Sequence, residues 1–163
     1  IYLITRYRLS TQIEDQSRAF LQGLTELINP RWLRLFNTEE LRVLVTGADT
    51  PIDVEDLRRN TVYGGYHEKD MAVQYFWEAL SSLDQASLKA FLRFVTSSPN
   101  PPLLGFSELN PKFAIRHAGD DITRLPTAST CVNLLKLPAY NSTAQCLEKV
   151  KYAIYSGAGF DLS

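Results

Sequence analysis

The stretch Leu125-Pro126-Thr127-Ala128-Ser129-Thr130-Cys131-Val132-Asn133-Leu134-Leu135-Lys136-Leu137-Pro138 constrains this chain more than any other. It places one cysteine where a proline-bearing polar loop gives way to an alternating apolar run. Residues 132–137 read as a strand closed by Pro138, because alternation puts every second side chain on one face. A thiol at that junction is presented at a surface while its strand neighbours anchor it in a core. Cysteine is intrinsically nucleophilic, and its thiolate fraction at neutral pH follows the local field. Packed inside, the same residue is a small inert hydrophobe. Two readings follow: a surface nucleophile, or a buried structural cysteine in a non-catalytic protein-interaction module. Solvent access to the sulfur separates them. A cysteine hydrolase is a third reading, with His117 as the base.

Helical signals dominate the rest. Ser10 is placed to cap a helix to about Ile28 with Ile13, Phe20, Leu21, Leu24 and Leu27 on one face, whereas residues 1–9 show no clear period. Asn29-Pro30 opens a further turn, and Asn37 or Thr38 caps a helix through Thr46, with Gly47 as its stop. Gly47-Ala48-Asp49-Thr50-Pro51 is the one credible linker, since it holds both a flexible glycine and a rigid proline. Asp53 caps a short helix, and Tyr63-Gly64-Gly65-Tyr66 reads as a turn. Two longer helices follow, one carrying Val73, Phe76, Trp77 and Leu80, the other Leu88, Phe91, Leu92 and Val95. Pro99, Pro101 and Pro102 force an extended loop. Residues 113–117 alternate as a strand, and Ser142-Thr143-Ala144-Gln145 is a capping box before a last helix. Cys146 lies inside that helix and reads as packing.

Composition narrows the partners. At 163 residues with 45% apolar content, the chain is one domain, or one domain with part of a neighbour. Net charge is −1 and no basic stripe is interleaved with aromatics, so nucleic acid is not an expected partner. No apolar run approaches the roughly 18 residues of a membrane span. Two cysteines make no disulfide framework, which points to reduced thiols and an intracellular setting. His67 and His117 are isolated, and no metal site is expected. The chain opens on Ile1 and its one methionine is Met71, so it reads as a piece of a longer protein.

Leu125-Pro126-Thr127 followed by Thr130-Cys131-Val132-Asn133 resembles the active-site signature of HECT-type ubiquitin ligases. In the same order as in that family come Asp53-Val54-Glu55-Asp56-Leu57, Asn60-Thr61-Val62-Tyr63-Gly64-Gly65-Tyr66, Phe76-Trp77-Glu78, Phe94-Val95-Thr96, Pro101-Pro102-Leu103-Leu104-Gly105-Phe106 and Gly159-Phe160-Asp161-Leu162-Ser163. Ser129 stands where many members carry histidine, so no imidazole is expected beside the thiol. The Ala-Ser-Thr-Cys form and the ending are most similar to the proteasome-associated branch that extends ubiquitin chains.

The resemblance implies an α+β fold. Residues 1–46 would be the last helices of the helical N-lobe, 47–51 an interlobe hinge through Gly47, Ala48, Asp49 and Thr50, and 52–163 the C-lobe, helices packed on a small β-sheet. It implies that Cys131 takes ubiquitin as a thioester from an E2 conjugating enzyme and passes it to a lysine, with no cofactor. Ser129, Thr130 and Asn133 sit beside the sulfur, where a hydroxyl or amide either stabilises the reacting groups or stabilises the loop. Leu125 and Arg124 complete the supporting set, and Arg124 is placed to lower the thiol pKa or to pair with an acid. The resemblance gives Phe160 a role in docking the tail and Asp161 a role as the acid near the C-terminus. Implied partners are ubiquitin, an E2 through the upstream part of the N-lobe, protein substrates and the proteasome, in the cytoplasm or nucleus. Neither nucleic acid nor membrane is among them.

Overall fold

Apolar side chains at helical spacing in three helices, and at strand spacing in two strands, converge on one core. The computed structural model describes residues 2–47 and 49–156. Contacts divide the chain into two compact units, Ile1–Arg42 and Val43–Ser163.

The first unit holds α1 (Tyr2–Leu9), a 3₁₀ turn at Thr11–Ile13, α2 (Glu14–Leu27) and α3 (Pro30–Leu33). Residues 2–9 are therefore helical although their sequence lacks a period; nothing in them breaks a helix, and neither face is buried. Ser10 makes no side-chain cap, because the chain first turns through the 3₁₀ segment. The apolar stripe of α2 is present but open: Phe20 is 68% and Leu27 87% exposed. Asn29 caps α3 through Arg31 N at 3.0 Å. α4 (Thr38–Thr46) crosses the division in the chain and begins with a reciprocal box, Glu40 N to Asn37 Oδ1 at 2.9 Å and Asn37 N to Glu40 Oε2 at 2.7 Å. Gly47 ends it at φ +80°, where a Cβ would stand 2.8 Å from the Pro101 carbonyl oxygen.

The second unit contains α5 (Val54–Arg59), β1 (Val62–Gly64), α6 (Met71–Ser81), α7 (Gln85–Thr96), β2 (Ala114–His117), β3 (Thr127–Ser129), β4 (Leu134–Leu137) and α8 (Thr143–Tyr155). Val73, Phe76, Trp77 and Leu80 of α6 are buried, as are Leu88, Phe91, Leu92 and Val95 of α7 and Cys146, Val150 and Ala153 of α8. Each set repeats every three or four residues, which aligns it on one helix face. α8 packs on α6 and α7, and α7 packs on β3 and β4.

The sheet order is β1-β2-β4-β3, with β1, β2 and β4 parallel and β3 antiparallel to β4. Ile115, Leu135 and Ala128 lie on one row across β2, β4 and β3 and are buried beneath the helices. On the opposite face Val62, Gly64 and Arg116 are exposed, and Ala114, Leu134, Lys136, Thr127 and Ser129 are half-buried. Two expectations change here. Tyr63-Gly64, read as part of a turn, belongs to edge strand β1, and the turn begins only at Gly65, at φ +73°. The strand expected over 132–137 starts at Leu134, while residues 127–129 of the expected loop pair as β3. A three-residue strand is too short to show a period.

Two polar groups are sealed beneath the strands. Tyr66 is buried and donates its hydroxyl to the Leu137 carbonyl at 3.0 Å; burial, with Asp120 and Asp70 nearby, pushes its pKa up to about 12. Burial alone pushes the Cys146 thiol from 9.0 up to about 12. Both groups keep their protons in the fold above the pH at which the unfolded chain releases them. Their contribution is therefore intact below pH 9 and is lost as pH rises toward 12. The urea midpoint is expected to fall steadily above pH 9. A midpoint unchanged between neutral pH and pH 11 would show these groups to be solvated.

Candidate functional site

β3 and β4 form a hairpin in which Ser129 pairs with Leu134, so Thr130-Cys131-Val132-Asn133 is a four-residue loop with Cys131 second. Its first three residues make a 3₁₀ turn, closed by Asn133 N to Thr130 O at 3.3 Å, and Asn133 takes the left-handed conformation at φ +51°. Loops of this length are built around such a turn, and asparagine tolerates the left-handed position better than most residues.

Cys131 is exposed, which excludes the buried structural cysteine; Val132 beside it is 50% exposed. Asn133, by contrast, is 7% exposed. Its Nδ2 donates to the Pro111 carbonyl at 2.6 Å and its carbonyl accepts from Ala114 N at 3.0 Å, which nails the loop to the start of β2. The asparagine is committed to holding the thiol in place. Asn133→Ala is expected to destabilise the fold by about 2–3 kcal/mol, from the left-handed backbone and the lost buried hydrogen bond. Asn133→Gly restores the first cost and not the second, so thermal melts of the two variants divide the effect. Equal melting of Asn133→Ala and the parent chain would remove the anchoring role.

The hydroxyls of Ser129 and Thr130 have no hydrogen-bond partner among the described residues, and both are half-buried beside the loop. They are free to turn toward a group arriving at the sulfur. Leu125 and Arg124 lie before β3, at the end away from the loop. Arg124 is exposed; its carbonyl accepts from the Tyr140 hydroxyl at 2.7 Å, and Asp121, whose carboxyl is held low chiefly by its Thr123 hydrogen bonds, also feels the Arg124 charge. Leu125 lines a cleft of about 330 Å³ with Glu148, Lys149 and Tyr152 of α8.

A second cleft, of about 410 Å³, brings Asn133 together with Gly47, Leu103, Leu109 and Asn110. Of the linker residues, Asp49 pairs with Lys89, Thr50 is exposed, and Ile52 just beyond is gripped twice by Gln85, Ile52 N to Oε1 at 2.7 Å and Nε2 to Ile52 O at 3.2 Å. Ala48, Phe160 and Asp161 lie outside the described residues. The Pro111 carbonyl and the Asn110 lining were not anticipated. The only signal for them was the Asn-Pro pair ahead of β2.

His117 does not approach the thiol. Cys131 precedes β4 and so lies at the N-terminal end of the parallel strands, whereas His117 ends β2, about 10 Å further along at strand rise. There its Nε2 meets Asp120 Oδ1 at 3.2 Å and its ring stands edge-on to Tyr66 at 4.8 Å. The cysteine-hydrolase reading therefore has no base. Among the described residues no three His, Cys, Asp or Glu side chains form a metal-ligand group.

An exposed thiol at the tip of an anchored hairpin, with no histidine brought to it, defines a class of site: a surface cysteine open to a partner molecule rather than a Cys–His hydrolase centre. Comparison with known proteins names the class. The model of the HECT domain (ubiquitin-transferase) matches residues 1–163, and the chain belongs to that family. It is 49% identical over 160 residues to E3 ubiquitin-protein ligase HUL5 of Saccharomyces cerevisiae, with 98% of the chain covered. Against a probable E3 ubiquitin protein ligase of Schizosaccharomyces pombe it is 47% identical over 164 residues, and against human ubiquitin-protein ligase E3B 40% over 189, each covering 100% of the chain. The chain spans only 16–18% of the length of these relatives. Among the described residues no helix is long and apolar enough to cross a membrane.

Proposed function

We propose that this chain is the catalytic C-terminal part of a HECT-type E3 ubiquitin ligase, in which Cys131 carries ubiquitin as a thioester. The observation that carries the reading is the exposed thiol at the tip of an anchored hairpin, in a chain that the HECT model matches throughout. The Cys131 thiolate attacks the carbonyl carbon of a thioester held by an E2, and the E2 thiolate leaves. A lysine amine then attacks the new thioester, loses its proton, and displaces the Cys131 thiolate. Thioester exchange is nearly isoenergetic, so the site must chiefly supply placement. Asn133 supplies it by fixing the loop, and the Thr130 and Ser129 hydroxyls are the donors closest in sequence to the developing oxyanion. β3 is an edge strand that ends at the loop, and its free side suits an extended ubiquitin tail.

On this reading residues 52–163 form the C-lobe, 47–51 the interlobe hinge, and 1–46 the last helices of the N-lobe, whose open apolar faces the rest of that lobe covers. The E2 docks on upstream residues. Phe160 and Asp161 align ubiquitin and acceptor, and Leu125 contacts the donor in the α8 cleft. Elongation of polyubiquitin at the proteasome, inside the cell, is the role we propose, supported by the resemblance of the Ala-Ser-Thr-Cys form and of the chain's ending. The test is labelling with ubiquitin bearing a cysteine-reactive group at its C-terminus, followed by mass mapping. Adduct at Cys131, dependent on folded ubiquitin, is the expected result. A thiol that reacts with a small reagent equally well with or without the ubiquitin moiety overturns it.

A further inference from the structure

The face of the sheet opposite the buried Ile115–Leu135–Ala128 row carries two rows of side chains. Nearest the thiol loop, Val62, Ala114, Leu134 and Ser129 lie side by side across the four strands. Two residues further along, about 7 Å at strand rise, come Gly64, Arg116, Lys136 and Thr127. Burial of Ile115 and Leu135, which alternate with these residues, confirms that both rows point away from the core. A Cβ built on Gly64 would lie 3.7 Å from Arg116 Cγ, so the glycine and the arginine share that face.

Arg116 and Lys136 are direct partners on adjacent strands. Like charges placed opposite each other destabilise a sheet. Neither has an ion-pair or side-chain hydrogen-bond partner among the described residues. Acids of the neighbouring loops are engaged elsewhere: Asp120 with His117, Asp121 with Thr123, Glu68 with Arg58. The cations are flanked by Gly64, which has no side chain, and by Thr127; Arg116 and Gly64 are exposed, while Lys136 and Thr127 are half-buried. An apolar row thus lies beside a cation row, and both adjoin the hairpin that presents Cys131.

We propose that this open sheet face docks an acidic, extended segment of the protein that accepts the acyl group from Cys131, with an apolar residue on the Leu134 row and a carboxylate two positions away on the Arg116–Lys136 pair. The identity of the segment as acceptor rests on the transferase reading; the docking itself does not. An approaching carboxylate converts the like-charge contact into two attractions, and the spacing of the rows equals that of alternate residues in an extended chain. A two-cation row bordered by valine, alanine and leucine suits a peptide better than a nucleic-acid backbone, which is tracked by longer basic surfaces.

The probe is a fluorescein-labelled peptide with leucine and glutamate at alternate positions, titrated onto the full chain. A twin peptide with lysine in place of glutamate serves as control. The acidic peptide is expected to bind, to weaken with added salt, and to perturb the backbone amide resonances of Ala114, Arg116, Leu134 and Lys136. R116E/K136E should weaken it on the order of tenfold and bind the lysine twin instead. R116Q/K136Q, which introduces no new repulsion, should lose both preferences. No binding to the unaltered chain, equal binding to the reversed variant, or tighter binding of an oligonucleotide or a phosphopeptide overturns the proposal. Ubiquitin labelling of Cys131 on the same sample reports the transferase reading separately, so the two can fail independently.

Discussion

Cys131→Ala is expected to abolish the adduct with reactive ubiquitin completely while leaving the melting temperature nearly unchanged. The two halves of that expectation have separate physical grounds. Loss of the adduct follows because the chain's other thiol, Cys146, is fully buried in α8 and its proton is held up to about pH 12. It offers neither access nor thiolate at neutral pH. Retention of stability follows because the exposed Cys131 side chain fills no core space, and surface substitutions away from special features usually change stability by less than about 0.5 kcal/mol. Mass mapping of the labelled chain and a thermal melt of the same sample check both. Adduct persisting on another residue, or a melt lowered by several degrees, would move the nucleophile or give Cys131 a packing role.

The largest effect on stability is expected from Phe113→Ala, at about 3–5 kcal/mol. Phe113 is 1% exposed and stands edge-on to Phe91 of α7, with ring centroids 6.1 Å apart. Its carbonyl accepts from Val62 N at 2.9 Å, which joins β1 to the entry of β2, and the next residue, Ala114, holds the Asn133 carbonyl. The ring thus ties the helical layer to the strand on which the thiol loop is nailed. Domains are stable by only about 5–15 kcal/mol, so this one truncation removes a large share. Urea denaturation measures it directly. Cys146 gives an independent readout, since a small thiol reagent reaches it only through opening. At tenfold per 1.4 kcal/mol, its labelling should accelerate roughly a hundred- to several-thousand-fold. Phe113→Leu, which keeps most of the apolar volume, should retain most of the stability. If both variants melt like the parent chain, the ring is not a keystone.

The α6, α7 and α8 elements were legible because their buried residues recur at helical spacing, and the caps of α5, α7 and α8 are ordinary: Asp53, Asp84 and Ser142 all accept from first-turn amides. In the last box Gln145 reaches the amide of Asn141, one residue before the cap, rather than that of Ser142 itself. Less legible were β1 and β3. Each is a three-residue edge strand held by pairing with a distant neighbour, a non-local cause that no local pattern announces. α1 was missed for the opposite reason, since a helix with no buried face has no period to read. At the site, the junction fixed where Cys131 lies but left it either exposed or buried, and the resemblance alone favoured the exposed thiol that is found. The commitment of Asn133 to Pro111 was not legible, because it depends on a contact twenty-two residues away.

The shortness of β3 also bears on solubility. An exposed strand edge is a template for any other chain, and long flat edges invite self-association. β3 offers three residues, entered from the buried Pro126, which has no N–H to give, and left through a 3₁₀ turn that bends the backbone out of the sheet. Such an edge can align one short guest strand yet has no length on which to nucleate a growing stack of copies. An edge left open beside an exposed thiol thereby escapes polymerising through it.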